Sequence, residues 1–390
     1  MPDPPAPTEL PLAGIRVADF SRVLAGPLAT MILGDLGADV VKVERPDGGD
    51  DTRGWGPPFV GEDAAYFLAL NRNKRSIVLD LASESGASAA RALARTADVV
   101  VENFRPGLMA RFGLDHASLA RENPRIVSCS LVAFGEAGES AARPGYDIIV
   151  QALAGIMSFT GQPDGEPTKV GVALLDVIAG LYAAAGIQAV LLGRARTGRG
   201  DRVVVSLFEA SLAALVNQGA NYLLGGVVPR PMGNAHPNIV PYQLFHAADR
   251  PLILAAGNDR LFERTASVLG RPELAVDQRY ATNAARVEHR DELVAELESR
   301  FATDAAATWV ERLTAAGVPC APVRALDEVF AAPEAAAMIQ RVPDARGELA
   351  LVGDPIRVGG STLGIRRPPP RLGQHTDEVL DELRAAGALP

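Results

Sequence analysis

"IRVADFSRVLAGPLATMILGDLGADVVKVE", residues 15–44, decides the fold class. Its β-branched opening, "IRVADF" (15–20), predicts a strand; "SRVLAGPLATMILGDLGA" carries helical apolar spacing; "DVVKVE" (39–44) predicts a second strand. That order is a β–α–β unit, the building block of a parallel sheet covered by helices. The pattern recurs in "SIVLDL" (76–81), an Ala-rich helix over 83–96 and "DVVVEN" (98–103), and a further helix leads to "RIVSCSLVAF" (125–134). Apolar strands alternating with helices predict a doubly wound α/β core for the first half of the chain.

Beyond it, "RVVVSLFEASLAALVNQGANYLLGG" (202–226) runs from a strand into a helix, and "VVPRPMGNAHPNIVPYQ" (227–243), dense in Pro, Gly and Asn, reads as a linker and loop. A short hairpin pattern and charged amphipathic helices follow to about residue 325, which predicts a smaller α+β domain. The tail combines strand alternation with a proline stop before a final helix. The expected division is therefore a large Rossmann-like domain over 1–225, a small α+β domain over 226–325 and a C-terminal segment over 326–390.

With 390 residues, of which 48% are hydrophobic and 22% charged, the composition is that of an ordinary globular protein. A net charge of −9 argues against a general nucleic-acid binder. Cys129 and Cys320 lie far apart and match no metal spacing, and the five histidines show none either, so neither a disulfide framework nor a metal is expected. The opening "MPDPPAPTELPLAG" has no basic or apolar region of a secretory signal, and a cytoplasmic location is the expectation. "GVALLDVIAGLYAAAGIQAVLLG" (171–193) is just long enough to span a membrane, but Asp176 and Gln188 are costly in hydrocarbon and argue against it.

Common catalytic signatures are missing. The first turn reads "SRVLAGP" in place of Gly-x-Gly-x-x-Gly, and there is no Gly-x-Ser-x-Gly elbow or Walker lysine. A helix N-terminus after a strand still offers free amides to a phosphate. Cys129, alternating with apolar neighbours, reads as a buried small hydrophobe. Asp176 remains the most pointed residue. An aspartate before an apolar helix is a favoured N-cap, yet a poorly solvated carboxylate near helix amides also suits nucleophilic chemistry. Spacing alone leaves both open.

Six blocks in order resemble the family III CoA-transferases, the formyl-CoA, carnitine and succinyl-CoA:dicarboxylate group that also contains the 2-methylacyl-CoA racemases. They are "VADFSRVLAGPLATMILGDLGADVVKVERPDGGDDTRGW" (17–55), "NRNKRSIVLDL" (71–81), "ADVVVENFRPGLMARFGL" (97–114), "PGYDIIVQALAGIMSFTG" (144–161), "TGRGDRVVVSLFEA" (197–210) and "RPPPRLGQHTDEVL" (367–380). The "GNAHPNIVPYQLF" stretch (233–245) is most similar to the succinyl-CoA:dicarboxylate subgroup.

The resemblance implies a Rossmann-like large domain, a smaller domain, a C-terminal segment returning to the large one, and an interlocked homodimer. It implies Asp176 as nucleophile, and CoA contacts at Val23, Ala25, Arg45, Leu79, Asn103, Phe104, Arg111 and Tyr146. Coenzyme A thioester would be a substrate, with a carboxylic acid as co-substrate and no tightly bound cofactor. Arg53, Asp147 and His236 are further candidates for the acceptor's surroundings. Two departures count against formate and oxalate chemistry: Leu24 stands where the formyl-CoA enzyme has glutamine, and "AAGNDR" (255–260) replaces a glycine-rich lid. A racemase would carry histidine where Tyr146 stands, and a phenol is a poor base for proton abstraction near neutral pH. A CoA-binding protein without catalysis is the remaining alternative, against which Asp176 is retained.

Overall fold

The computed structural model describes residues 9–141 and 143–390, so most of the proline-rich opening (1–8) lies outside the described residues. The chain forms two units, one comprising 9–156, 170–226 and 333–390, the other 157–169 and 227–332.

In the first unit six strands make one sheet: β1 (Arg16–Asp19), β2 (Asp39–Glu44), β3 (Lys74–Val78), β4 (Val99–Glu102), β5 (Val127–Val132) and β6 (Arg202–Ser206). Their spatial order is β3-β2-β1-β4-β5-β6, and every neighbouring pair is parallel. That is the doubly wound order, which reverses between β1 and β4 and opens a crevice beyond the carboxyl ends of those two strands. Burial explains the strands. Ala18, Val41, Ile77 and Val100 pack with Ala90 and Leu93 of the helix Glu84–Thr96 and with Val379 and Leu383 of the final helix, Thr376–Ala385.

One strand departs from expectation. β3 begins at Lys74, two residues before the apolar run, because Lys74 and Arg75 are buried by partners: Lys74 pairs with Asp19 at 3.1 Å, and Arg75 binds Asp39 at 2.6 Å and Glu378 at 2.9 Å. The second of these ties the C-terminal helix to the sheet, as does the Thr376 hydroxyl, which accepts the Val78 amide at 3.1 Å.

Three helices shape the crevice: α1 (Ala25–Asp35), α2 (Asp147–Leu153) and α3 (Leu174–Thr197). By length and composition α3 is apolar enough to cross a membrane. Its small residues have another explanation. A Cβ on Gly180 would lie 2.7 Å from the Ala25 carbonyl oxygen, and one on Gly186 would lie 2.8 Å from Val203. Glycine at these points lets α3 press against α1 and β6, with Leu175, Ala179, Ala183 and Ile187 buried along one stripe. That seam accounts for the small residues on the buried stripe of the helix.

The second unit holds a three-stranded antiparallel sheet of β7 (Tyr242–His246), β8 (Pro251–Ala255) and β9 (Cys320–Pro322), with β8 central. Phe245, Phe262, Phe301 and Trp309 form its core with neighbouring leucines. The division differs from the expected 226–325 in two ways. The unit runs on to residue 332, and it takes residues 157–169 from the first half of the chain. The Gly233 amide donates to the Gly161 carbonyl at 2.8 Å, a link across 72 residues that local pattern does not reveal.

Candidate active site

β1 leads into the loop Phe20–Leu24, and that loop is anchored at almost every backbone group. The Phe20 amide donates to the Val101 carbonyl (2.8 Å), and the Ser21 amide donates to the Asp19 carboxylate (2.9 Å). The Asn103 side chain, just beyond β4, clamps Arg22 from both sides, accepting its amide at 2.9 Å and donating to its carbonyl at 2.7 Å. Val23 has φ +71°, a left-handed conformation that β-branched residues avoid at a cost of about 1–2 kcal/mol. Its amide points at both carboxylate oxygens of Asp50, 3.3 Å from each. Close packing continues into α1, where a Cβ on Gly26 would lie 2.2 Å from that of Ser21. Leu24, the N-cap of α1, supplies no side-chain cap, so the first helical amides have no partner within the helix.

The opposite wall is built at the start of α3. Asp176 is not its cap. Ala173 occupies the N-cap position, and Asp176 stands in the first turn. The capping carboxylate is Asp147, which comes from α2 and accepts the Leu175 amide at 2.8 Å and the Asp176 amide at 3.3 Å. Asp147 is itself held by the Gln151 amide group at 2.5 Å, and Gln151 in turn accepts the Val170 amide at 2.9 Å. Asp147, Gln151 and the α3 N-terminus thus form one support for the Asp176 backbone, while the Asp176 side chain lines the cleft.

A helix N-terminus alone would lower a carboxyl pKa. Here burial dominates, the charge of Asp147 adds to it, and Asp176 is pushed up to about 7. A carboxyl so perturbed in a cleft marks a candidate functional group. Tyr66 lies in the same field. Burial first, and then Asp176, Asp147 and Asp50, raise its phenol to about 12, and its ring packs 5.6 Å from that of Trp55.

Asp176 shares a cleft of about 180 Å³ with Arg22, Val23, Leu24, Ala25, Asp51, Asn103 and Tyr146, together with apolar residues of β5 and Leu207. It opens at the reversal point of the sheet. Of the sequence-derived candidates, the fold brings Val23, Ala25, Asn103 and Tyr146 together with Asp176. Arg45 follows β2, where its guanidinium binds Asp51 at 2.7 Å and the Asp47 carbonyl at 2.9 Å; Asp51 also faces Arg22 at 3.6 Å. Arg22 lies over the Phe104 ring, 5.1 Å from its centre. Leu79 is buried just past β3, and Arg111 is exposed at the end of the short helix Leu108–Arg111. Val23, Arg45, Leu79, Asn103 and Phe104 thus all follow the carboxyl ends of parallel strands.

Two candidates hold partners of their own. Arg53 is buried, its guanidinium occupied by Glu44 at 2.7 and 2.8 Å, Asp63 at 2.6 Å and the Pro370 carbonyl at 3.2 Å, over the Phe67 ring; it is a structural tie rather than a substrate cation. His236 is part of the second unit, where its Nδ1 accepts the Asn238 amide at 3.1 Å and its ring packs 5.3 Å from that of Tyr242. Sequence reasoning missed Arg22, Asp50 and Tyr66, because nothing in their neighbours' types marks them. Cys129 is buried, and burial raises its thiol to about 12, which makes it inert. Among the described residues no group of three His, Cys, Asp or Glu is arranged to hold a metal.

The family model described as CoA-transferase family III matches residues 12–376. The chain belongs to CoA-transferase family III. It is a CoA-transferase, similar over nearly its whole length to enzymes of that activity. The succinate–glutarate CoA-transferase of Agrobacterium fabrum is 46% identical, with 96% of each chain covered. The acetyl-CoA:oxalate CoA-transferase of Acetobacter aceti is 40% identical over 98% of each. The crystal structure of a CAIB/BAIF family protein from Brucella suis matches with a TM-score of 0.85 at 44% identity, over 96% of this chain and all of that one. For this CoA-transferase the parallel central sheet is therefore the architecture of its structural neighbours.

Proposed function

We propose that the protein moves CoA from succinyl-CoA to a small dicarboxylic acid, with Asp176 as the nucleophile. The observation that carries this reading is Asp176 itself, a carboxyl pushed up to about 7 in a cleft at the sheet's reversal point that Leu24 and Ala25, at the uncapped start of α1, also line. The Asp176 carboxylate attacks the donor thioester, forming a mixed anhydride and releasing CoA thiolate. The thiolate then attacks the aspartyl carbonyl, giving an aspartyl-CoA thioester and free succinate. The acceptor carboxylate attacks that thioester, a second anhydride forms, and CoA thiolate takes the acceptor's acyl group, restoring Asp176. Each intermediate keeps its acyl activation, so no nucleotide is consumed. The Ala25 amide, at the uncapped start of α1 in the same cleft, is our candidate donor to the oxyanion of each tetrahedral intermediate. Arg22 and Arg45, sharing Asp51 at the rim, suit the phosphates of CoA or a substrate carboxylate.

The relatives named for glutarate and oxalate support a dicarboxylate acceptor. The oxalate enzyme's 40% identity weighs against reading Leu24 and "AAGNDR" as a bar to oxalate. Tyr146, 63% exposed, offers no imidazole for proton abstraction, which favours transfer over racemisation. We infer a homodimer as well: the helix Val216–Gly225 buries none of its residues yet carries Tyr222, Leu223 and Leu224, the last two 80% and 89% exposed. Two free cysteines suit a reducing, cytoplasmic setting. The test is incubation with succinyl-CoA and a panel of carboxylic acids, following new acyl-CoA by mass spectrometry. Glutaryl-CoA or another dicarboxylic thioester is expected, and transfer by Asp176→Ala at the native rate would sink the proposal.

A further inference from the structure

We propose that Asp50 and Lys42 are positioning residues for the transfer: from beneath the first loop they hold Val23 in its left-handed conformation and so fix the Leu24–Ala25 backbone against the Asp176 cleft. The inference rests on the transferase reading above. Both side chains are fully buried and 2.8 Å apart, so neither touches a substrate. Asp50 sits at the convergence of four donors: the Val23 amide, the Thr52 amide at 3.0 Å, the Thr52 hydroxyl at 2.8 Å and Lys42. Lys42 also donates to the Ser21 carbonyl at 2.8 Å, gripping the loop two residues upstream of Val23. Asp19, Asp50 and Glu44 all surround the ammonium, and their attraction outweighs burial, keeping it charged. The same attraction drives Asp50 down to about 2.

Valine has no intrinsic reason to adopt φ +71°, so the conformation must be imposed from outside. Asn103 fixes the peptide groups on both sides of Arg22, and the Gly26–Ser21 contact fixes the start of α1. Between those fixed points Val23 is the turning residue, and Asp50 is the group that accepts its amide. Were Val23 to relax to an extended conformation, the next peptide would rotate and carry the oxyanion-facing amides with it. Lys74, the other buried lysine, instead holds the Pro27 carbonyl, further along α1, and the Asn71 side chain.

A double-variant cycle tests this on the whole enzyme. Asp50→Asn keeps the size of the side chain and removes its charge. With Val23 in place, kcat at saturating succinyl-CoA is expected to fall roughly 100-fold, while KM for succinyl-CoA changes less than about threefold. In a Val23→Gly background glycine adopts the same φ without strain, so adding Asp50→Asn is expected to cost less than about fivefold. Equal losses in the two backgrounds, or a folded Asp50→Asn enzyme with native kcat, would overturn the proposal. Lys42→Gln enters the same cycle with the same expectations and decides the matter if Asp50→Asn does not fold. A native enzyme that transfers no CoA to any acid would overturn the transferase reading instead, and is read before any variant is made.

Discussion

At the scale of the residue, Asp176 is costly to keep. In the folded protein it holds its proton to about pH 7, whereas an unfolded aspartate releases it near 3.9. The unfolded state is therefore progressively favoured as pH rises through that interval, and the penalty is complete above it. Asp176→Asn carries no such penalty. Its thermal midpoint is expected to exceed the native one by more at pH ~8 than at pH ~4, with transfer lost by roughly 10³-fold or more; a gap that shrinks with rising pH would contradict this. Asp147 supplies part of the upward push. Asp147→Asn retains an acceptor for the Leu175 amide and removes the charge, so the acid limb of kcat/KM against pH is expected to move to lower pH. An unmoved limb would show that burial alone sets Asp176.

At the scale of the element, the site depends on how closely α3 approaches α1. Gly180→Val would place methyl groups where the Ala25 carbonyl lies 2.7 Å from a Cβ, pushing apart the two helix N-terminal regions that form the cleft. The expected result is a loss of about 1–3 kcal/mol in denaturant unfolding, together with a fall in kcat; a stable variant with native kcat would disprove the tight-seam account. Sequence made much of this level legible. The apolar runs of β1, β2, β4 and β5 announced themselves, and so did the glycine- and alanine-rich α3. What it concealed was charge neutralised by distant partners. "NKRS" does not look like a strand because Asp19 and Asp39, which bury Lys74 and Arg75, are far away in the sequence. Likewise Asp176 has a cap-like sequence setting, but the actual cap, Asp147, stands 29 residues earlier.

At the scale of the whole molecule, distant segments converge on one edge of the sheet. The loop after β1, Asn103 after β4, Asp147 on α2 and Asp176 on α3 meet there, and only Asp176 was legible as chemistry from its own surroundings. Arg53, expected from the sequence near the acceptor, has its guanidinium occupied by Glu44 and Asp63, whose positions no spacing rule gives. The helix Val216–Gly225 leaves its leucines uncovered by its own chain. Sedimentation is expected to give twice the chain mass at micromolar concentration, and Leu223→Glu with Leu224→Glu is expected to lower it; a native monomer would contradict the dimer.

Oxygen bookkeeping tests the central claim most directly. When an acceptor carboxylate attacks the aspartyl-CoA thioester and CoA then takes the acceptor's acyl group, the bridging oxygen of the anhydride remains on Asp176. After a single turnover with succinyl-CoA and glutarate labelled with heavy oxygen in its carboxylates, mass spectrometry of the peptide containing Asp176 is expected to show one heavy oxygen on that side chain, and after many turnovers two. Glutaryl-CoA formed at full yield with an unlabelled Asp176 would contradict covalent catalysis by this residue.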